Sequence, residues 1–277
     1  MQERRVTYGL NLRGMAGSLR KSMGFYVFLG FFSVFALLFV VLPLAVIFLS
    51  TEAEDLLKVA VDRNVISAIF MSVYTASLTT IISLIFGVPL AFLIARYRFP
   101  GRDVIDAIID IPTLLPHTAA GIMVVSILGN RQPLGRILSS YGISFLDTFL
   151  GIVAAQLFLS FPYLVKSARD AFLKVDPNLE KAARTLGGGM FTIFFKIYLP
   201  LSMHAILTGA VLTWARAISE FGAVAVIAYT PYTAPVLVYE TFVTKGLEAT
   251  RPIVLLLVII TLAIFIFLRK LSKIEYE

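Results

Sequence analysis

The sequence contains no cysteine, two histidines and a single tryptophan in 277 residues. Without cysteine, the chain has neither a disulfide framework nor a thiolate metal site. The two histidines, His117 and His204, are too few for a typical zinc site. Charged residues make up 15% of the chain and hydrophobic residues 58%, whereas soluble domains carry about 25% charged residues. These values exclude a soluble globular enzyme and a disordered chain.

Motifs of common catalytic sites are also missing. The sequence has no GxxxxGK[ST] loop for nucleotide phosphates, no HExxH metal motif and no GxSxG nucleophile elbow. We therefore predict no catalytic residue, no metal site and no cofactor bound by this chain. If the protein drives uphill transport, the energy must come from an ion gradient or from a separate subunit.

What the sequence does contain is a series of long apolar runs. Each is long enough to cross about 30 Å of hydrocarbon as a helix, and none alternates as a β-barrel strand would. The predicted fold is therefore an all-α polytopic membrane protein with about six transmembrane helices. The predicted spans are residues 25–50, 65–95, 105–128, 148–165, 201–228 and 252–268, with 252–268 preceded by an external segment, 229–251.

The distribution of basic residues predicts the orientation of these spans. Arginine and lysine are concentrated in the N-terminal segment, in alternate loops and after the last span, and they give a net charge of +7. Because such loops stay in the cytoplasm, we expect both termini to be cytoplasmic. Residues 1–24 are predicted to form a cytoplasmic tail, and residues 25–277 a single transmembrane domain. The first apolar run is too long for a cleavable signal peptide.

The most informative loop is the predicted cytoplasmic segment 166–200. Within it, residues 176–187 (DPNLEKAARTLG) predict a short helix with both ends marked. Asp176 is a good N-cap, Pro177 suits the first helical position, and Gly187 suits the left-handed conformation that ends a helix. Four residues fall at helical spacing and form one apolar stripe, whereas Glu180, Lys181 and Arg184 lie off it. The stripe consists of Leu179, Ala182, Ala183 and Leu186.

Two interpretations of this stripe are open from the residues alone. The helix could lie on the membrane or on the protein's own helical bundle. It could equally insert its apolar face into a groove on a partner protein, where the small residues Ala182 and Ala183 would permit close approach.

The loop resembles the EAA loop of ATP-binding-cassette (ABC) importer permeases. The positions that match the family pattern are Ala182, Ala183, Gly187, Ile197, Leu199 and Pro200. Lys181 stands where the family has glutamate, and Glu180 lies one residue earlier. The resemblance implies the type I importer permease fold, with this loop as the coupling helix that docks into a groove on a separate ATPase subunit. The ATPase-coupling residues would be Asp176, Pro177, Leu179, Glu180, Lys181, Ala182, Ala183, Arg184, Leu186 and Gly187.

Further segments resemble one branch of this family, the molybdate/tungstate and sulfate permeases. They are residues 111–118 (IPTLLPHT), 161–163 (FPY), 214–223 (WARAISEFGA) and 233–236 (TAPV). The resemblance implies alternating access for molybdate or tungstate in the cell membrane. A sulfate/thiosulfate permease is the alternative, and an ion-driven secondary transporter is a less favoured one.

The implied partners are a second copy of the chain, two ATPase subunits that bind ATP and Mg²⁺, and an extracytoplasmic oxyanion-binding protein. The lipid bilayer surrounds the spans, and no nucleic acid is expected.

Several ionisable residues lie within the predicted spans. A charge in the hydrocarbon costs about 2.5–3.5 kcal/mol, so such residues should face a cavity or each other. Arg216 and Glu220 lie four residues apart on one helical face and form either a pathway contact or an internal ion pair. Asp110, with Asp106, is expected to pair with Arg98, Arg102 or a neighbouring loop, or to act in gating.

The third predicted span also contains a proline pair beside a histidine. Pro112 and Pro116 should kink the span, as Pro89 should kink the second span. His117 is either a packed histidine or a hydrogen-bond donor in the pathway, and Trp214 is expected to pack within the fifth span.

Overall fold

The computed structural model describes the backbone of residues 12–274 and the side chains of residues 25–270. The chain divides into two units, Met1–Glu52 and Ala53–Glu277. The first unit contains a long helix, α1 (Leu12–Leu49), with Pro43 inside it. Residues 1–11 of the predicted tail lie outside the described residues. The remainder of that tail is the start of α1, so no break in the helix marks residue 24.

The second unit is helical in all its regular elements over the described residues. Short helices alternate with long ones, and a π-helical turn, Phe194–Tyr198, leads into one of the long helices. The helices are α2 (Ala53–Ala60), α3 (Arg63–Arg96), α4 (Arg102–Leu114), α5 (His117–Leu128), α6 (Pro133–Ser140), α7 (Phe149–Lys174), α8 (Pro177–Thr185), α9 (Met190–Ile193), α10 (Leu199–Ile218), α11 (Gly222–Ile227) and α12 (Ala234–Ile274).

By length and composition, five helices of the described chain can cross a membrane, and the total is six if the bent pair α4 and α5 counts as one span. This confirms the predicted all-α fold and the predicted number of spans. The boundaries of the fourth and fifth spans were wrong. The fourth span continues past residue 165 to Lys174, because its charged residues find partners on α4 and do not end the helix. The sixth predicted span, 252–268, lies in the part of α12 that follows a non-helical break at Gly246 (φ 82°, ψ −177°), and the part before this break, from Ala234, makes most of the predicted external segment 229–251 helical.

The third span is broken rather than merely kinked. Its halves, α4 and α5, meet at an angle of 117°. Leu115 has extended backbone angles (φ −83°, ψ 144°) directly before Pro116, because a proline disfavours helical angles in the residue that precedes it. Pro112 lies inside α4, and Pro89 lies inside α3 without ending that helix.

The fifth span also differs from its prediction. It starts earlier, through α9 and the π-helical turn, and α10 ends at Ile218 instead of running on to residue 228. A separate short helix, α11, follows. The break falls at Glu220, whose side chain accepts a hydrogen bond from the backbone N–H of Ala223 (2.8 Å). The Glu220 side chain therefore satisfies one of the free backbone N–H groups at the start of α11.

The long helix α7 lies between α3 and α10 and packs against both. Small residues allow this close contact. A Cβ atom on Gly209 of α10 would lie 2.6 Å from the Cβ of Ser167 on α7, so only glycine fits there. At one end of α7, aromatic rings from several elements pack together: Phe92 lies 5.4 Å from Phe172 and 5.1 Å from Tyr198, between ring centroids. This aromatic cluster lies beside the segment that carries α8.

Candidate functional site

Helix α8 has the boundaries that the sequence predicted. Asp176 is the N-cap and accepts a hydrogen bond from the backbone N–H of Asn178 (2.9 Å). Pro177 occupies the first helical position. Gly187 has a positive φ of 82°, the left-handed conformation that terminates a helix with little cost only for glycine. Local sequence chemistry therefore determines where α8 begins and ends.

The apolar stripe of α8 is mostly exposed. Leu179 is 45% exposed and Leu186 is 88% exposed, and Ala182 is also exposed. Ala183 alone packs, half-buried, against the core next to the aromatic cluster. The interpretation in which this stripe packs on the chain's own helices therefore does not hold. Exposed leucines on a short helix form an unpartnered apolar face, which is typical of a docking surface.

The opposite side of α8 carries a buried carboxylate. The Glu180 side chain is 3% exposed and is held by Arg96, the last residue of α3. Arg184 donates to Glu180 Oε1 (2.9 Å), and the Tyr198 hydroxyl donates to Glu180 Oε2 (3.0 Å). Three donors from three elements therefore converge on one carboxylate. We call Glu180, Arg96, Arg184 and Tyr198 the Glu180 cluster.

The other members of the Glu180 cluster stabilise the ionised form of the Glu180 carboxylate. The hydrogen bond from Arg96, with further bonds from Arg184 and Tyr198, lowers the pKa of Glu180 from 4.5 to about 2, against the opposing effect of burial. A carboxylate with charged donors on both oxygens strongly favours its ionised form. Glu180 is therefore an anion at all physiological pH values and holds its donors continuously.

The residues alone placed Glu180 off the apolar stripe, and the family resemblance placed it among the ATPase-coupling residues, whereas the structure buries it against the chain itself. Its partner Arg184 is four residues away, a spacing that a helix brings together. Arg96, in contrast, is 84 residues distant along the chain. No local signal indicates that pairing, so the burial of Glu180 is a finding of the tertiary structure.

A second charged cluster lies where two helix breaks meet. The Arg216 guanidinium lies 2.7 Å from Glu220 Oε2 and 2.9 Å from His117 Nε2. His117 Nδ1 lies 3.6 Å from the same Glu220 oxygen. The predicted pair of Arg216 and Glu220 is thus present, with His117 added from α5. His117 is 53% exposed and Glu220 fully buried, so His117 is not a packed core residue. We call these three residues the Glu220 cluster.

Close backbone packing surrounds the Glu220 cluster. A Cβ atom on Gly222 would lie 2.7 Å from the Cβ of His117, and one on Gly121 would lie 2.8 Å from the carbonyl oxygen of Ala223. Helices α5 and α11 therefore touch through glycines. This contact brings His117 to the end of α10, where Arg216 is located.

The acidic residues of α4 pair with α7 instead. Asp110 contacts Lys166 (2.8 Å), and Asp106 contacts Arg169. Of the expected partners, Arg98 and Arg102 are not the ones observed, whereas Lys166 and Arg169 belong to the predicted loop 166–200, the third alternative, which the structure makes part of α7. Asp110 does not join Arg216, Glu220 and His117 in one site.

Trp214 is buried, as expected, and its indole N–H donates a hydrogen bond to the Ser77 hydroxyl (3.2 Å).

The bend between α4 and α5 also lines an apolar groove with α3 and α7. It includes Phe86, Pro112, Met123 and Phe161 and has a volume of about 640 Å³. Apolar walls give a hydrated anion no replacement for its lost water, so this groove does not suit an oxyanion. Among the described residues, no group of three or more histidine, aspartate and glutamate side chains could hold a metal ion.

With these features established, comparison with known proteins is informative. Residues 87–274 match the family "Binding-protein-dependent transport system inner membrane component". The chain is 42% identical over 253 residues to the molybdate/tungstate transport system permease protein WtpB of Thermococcus kodakarensis. The aligned residues cover 91% of this chain and 97% of that protein. It is 33% identical over 238 residues to a probable sulfate transport system permease protein of Chlorokybus atmophyticus, with 83% and 82% covered.

Solved structures give the same fold. A bacterial ABC transporter involved in the import of alginate matches with a TM-score of 0.78 at 15% identity and covers 95% of this chain and 99% of that chain. The same kind of transporter in complex with a periplasmic protein matches with a TM-score of 0.76 at 15% identity, with 93% and 96% covered. At this identity the likeness shows the fold alone, and it confirms the importer permease fold.

The matched family model covers most of the second unit, and the curated relative spans nearly the whole chain. A component of this kind is a multi-pass protein of the cell membrane and a transport subunit, not the enzyme that hydrolyses ATP. The chain belongs to the family of binding-protein-dependent transport system inner membrane components.

Proposed function

We propose that this chain is the translocating subunit of an ATP-driven importer that carries molybdate or tungstate across the membrane by alternating access. The substrate assignment is supported by the 42% identical relative, whose name specifies molybdate and tungstate and which covers 91% of the chain. The relative named for sulfate transport is less similar and covers less of the chain. Sulfate therefore remains the second choice.

The exposed apolar face of α8 is the observation on which the coupling assignment depends. The described part of the chain leaves Leu179 and Leu186 exposed, although burying one such side chain would gain about 1.5–3 kcal/mol. A partner groove would recover this energy. We propose that the groove belongs to an ATPase subunit, and that the exposed cations Lys181 and Arg184 contact its rim. Asp176, Pro177 and Gly187 fix the ends of the docked helix.

The remaining partners follow from this arrangement. Each chain carries one α8, so two ATPase subunits would engage two copies of the chain. ATP and Mg²⁺ would bind to those ATPase subunits. A loaded oxyanion-binding protein would dock on the external loops, with both chain termini in the cytoplasm. ATP-driven closure of the ATPase pair would move the two α8 helices together and open the spans outward.

Within the membrane, we propose that Arg216 and Glu220 act chiefly as an internal ion pair, which holds the end of α10 against α11. The fully buried Glu220 carboxylate and the 2.7 Å contact support this role. Asp110 acts similarly with Lys166, as a tie between α4 and α7. A pathway contact at Arg216 and His117 is the alternative, because His117 is half exposed.

The experiment is ATP hydrolysis by the complex of this chain with its ATPase and binding protein in liposomes, titrated separately with tungstate, molybdate and sulfate. We expect stimulation by tungstate and molybdate at far lower concentration than by sulfate. Preference for sulfate would retain the importer class and change the substrate. Transport by the chain alone, without any ATPase, would favour an ion-driven transporter instead.

A further inference from the structure

We infer that Glu180 is a positioning residue that joins α8 to α3 and to the start of α10, so that movement of α8 is transmitted to the spans. This inference rests on the proposed coupling function of α8. It concerns the side of α8 that faces the chain itself, whereas docking concerns the opposite face. The two faces therefore have separate tasks and can be tested separately.

The backbone on either side of α8 is poorly suited to transmit force. Before it, Val175 has extended backbone angles (φ −70°, ψ 126°). After it, three consecutive glycines follow, residues 187–189, of which Gly187 has a positive φ. Glycine permits many backbone conformations, and a short helix between two non-helical joints can tilt. A hydrogen bond from Gly188 N–H to Ala183 O (2.8 Å) fixes the helix end, not its orientation against the spans.

The Glu180 carboxylate supplies a rigid connection across these joints. Glu180 is the one buried residue of α8 in the described structure. Its oxygens bind Arg96 at the end of α3 and Tyr198 at the end of the π-helical turn that leads into α10. Hydrogen bonds to a charged group are directional and stronger than neutral ones. The packing of Ala183 against the core, in contrast, depends on a single methyl group.

The π-helical turn explains how Tyr198 reaches this position. A π-helical turn holds an extra residue, which rotates everything that follows by about 100° relative to an uninterrupted α-helix. Tyr198 is 2% exposed, with its ring in the aromatic cluster and its hydroxyl on Glu180. The same side chain therefore contacts both α8 and the packed core.

The aromatic cluster continues the connection into the membrane. Phe92 lies one helical turn before Arg96 on α3, 4.8 Å from Phe194 and 5.1 Å from Tyr198, between ring centroids. Phe172 of α7 joins the same cluster. Such close-packed interiors transmit displacement with little compression. A displacement of α8 is therefore passed through Glu180 to α3 and α10 together, and through them to α7.

The test uses Glu180→Gln, which keeps the shape of the side chain and removes its charge. In the liposome complex with tungstate, we expect the variant to assemble and hydrolyse ATP, but to transport about tenfold less tungstate per ATP hydrolysed. The matched control is Asp103→Asn, which neutralises an exposed carboxylate in the first turn of α4 and should keep the wild-type ratio. An unchanged ratio in Glu180→Gln would overturn the inference.

Three further variants, at Tyr198 and Arg96, keep the test decisive if Glu180→Gln does not fold. Tyr198→Phe removes one hydroxyl and leaves the ion pair, and should lower the transport ratio about threefold. Arg96→Lys keeps the positive charge, so it should transport more tungstate per ATP hydrolysed than Arg96→Met does. A wild-type ratio in Tyr198→Phe together with equal ratios in both Arg96 variants would contradict the inference. Failure of the wild-type complex to respond to tungstate would instead count against the proposed function itself.

Discussion

Two buried glutamates define two differently built regions of this protein. Glu180, in α8, receives donors from α3, from α8 itself and from the turn before α10. Glu220, at the break after α10, is bound mainly by neighbours in its own segment: Arg216 four residues before it and the N–H of Ala223 three residues after it. The first carboxylate connects distant elements, whereas the second closes a local break.

The surroundings differ as well. Two donors of Glu180 are open to water: the Arg184 side chain is 54% exposed and the Arg96 side chain 32%. Arg216, the ion-pair partner of Glu220, is only 17% exposed and lies in a span. A charge stranded near water can be solvated, but a charge stranded in a membrane bundle cannot. We therefore expect the Glu220 cluster to govern stability and the Glu180 cluster to govern coupling.

The largest effect is expected for Arg216→Ala. It leaves the buried Glu220 carboxylate without its counter-ion and should destabilise the protein by about 3–5 kcal/mol, measured by unfolding in detergent. The double variant Arg216→Met with Glu220→Leu removes both charges and should recover most of that stability. If the double variant also transports tungstate normally, Arg216 has no pathway role. If it is stable but inactive, the internal ion pair is not the whole function.

The next effect should come from Gly222→Ala, which tests the packing around the Glu220 cluster. The added Cβ would lie 2.7 Å from the Cβ of His117, so α5 and α11 must separate, at a cost of about 1–3 kcal/mol. Gly189→Ala is the matched control, because a Cβ there meets nothing within 4 Å. Equal unfolding temperatures for the two variants would show that α5 and α11 do not need their close contact.

A third change, Leu186→Ala, separates docking from stability. Leu186 is 88% exposed, so its truncation should alter the unfolding free energy of the isolated chain by less than about 0.5 kcal/mol. Affinity for the ATPase subunit should fall about tenfold, because the side chain would be buried in the partner groove. Titration of labelled ATPase onto the chain in nanodiscs measures this. Unchanged affinity would remove Leu186 from the docking surface.

The last test varies pH, and it would sharpen the contrast between the clusters. Glu180 has a pKa of about 2 in the folded chain against an ordinary 4.5. Its contribution to stability is therefore fully present above about pH 4.5 and is lost as the pH falls towards 2. The difference in unfolding free energy between wild type and Glu180→Gln should be constant from pH 8 to about pH 5 and shrink below it. A difference that shrinks already near neutral pH would show that the carboxylate is not held as described.

The sequence predicted the elements that depend on near neighbours. The N-cap, first proline and terminal glycine of α8 are all read within one short segment, and the structure has them in those roles. The ion pair of Arg216 and Glu220 follows from helical spacing. In contrast, no local pattern indicated that α10 ends at Ile218, because that break is stabilised by a side-chain bond and by contact with α5, a helix from another part of the chain.

By itself, the sequence determined the helical class, about six spans, a bend near Pro116 and the limits of α8, because each depends on residues within a turn or two of one another. Only the tertiary structure decided the partners of the charges: Glu180 with Arg96, 84 residues apart, and Asp106 with Arg169, 63 residues apart. It also decided which face of α8 is exposed. Such choices depend on how the packed helices α3, α7 and α10 bring distant side chains together, and no local pattern records that packing.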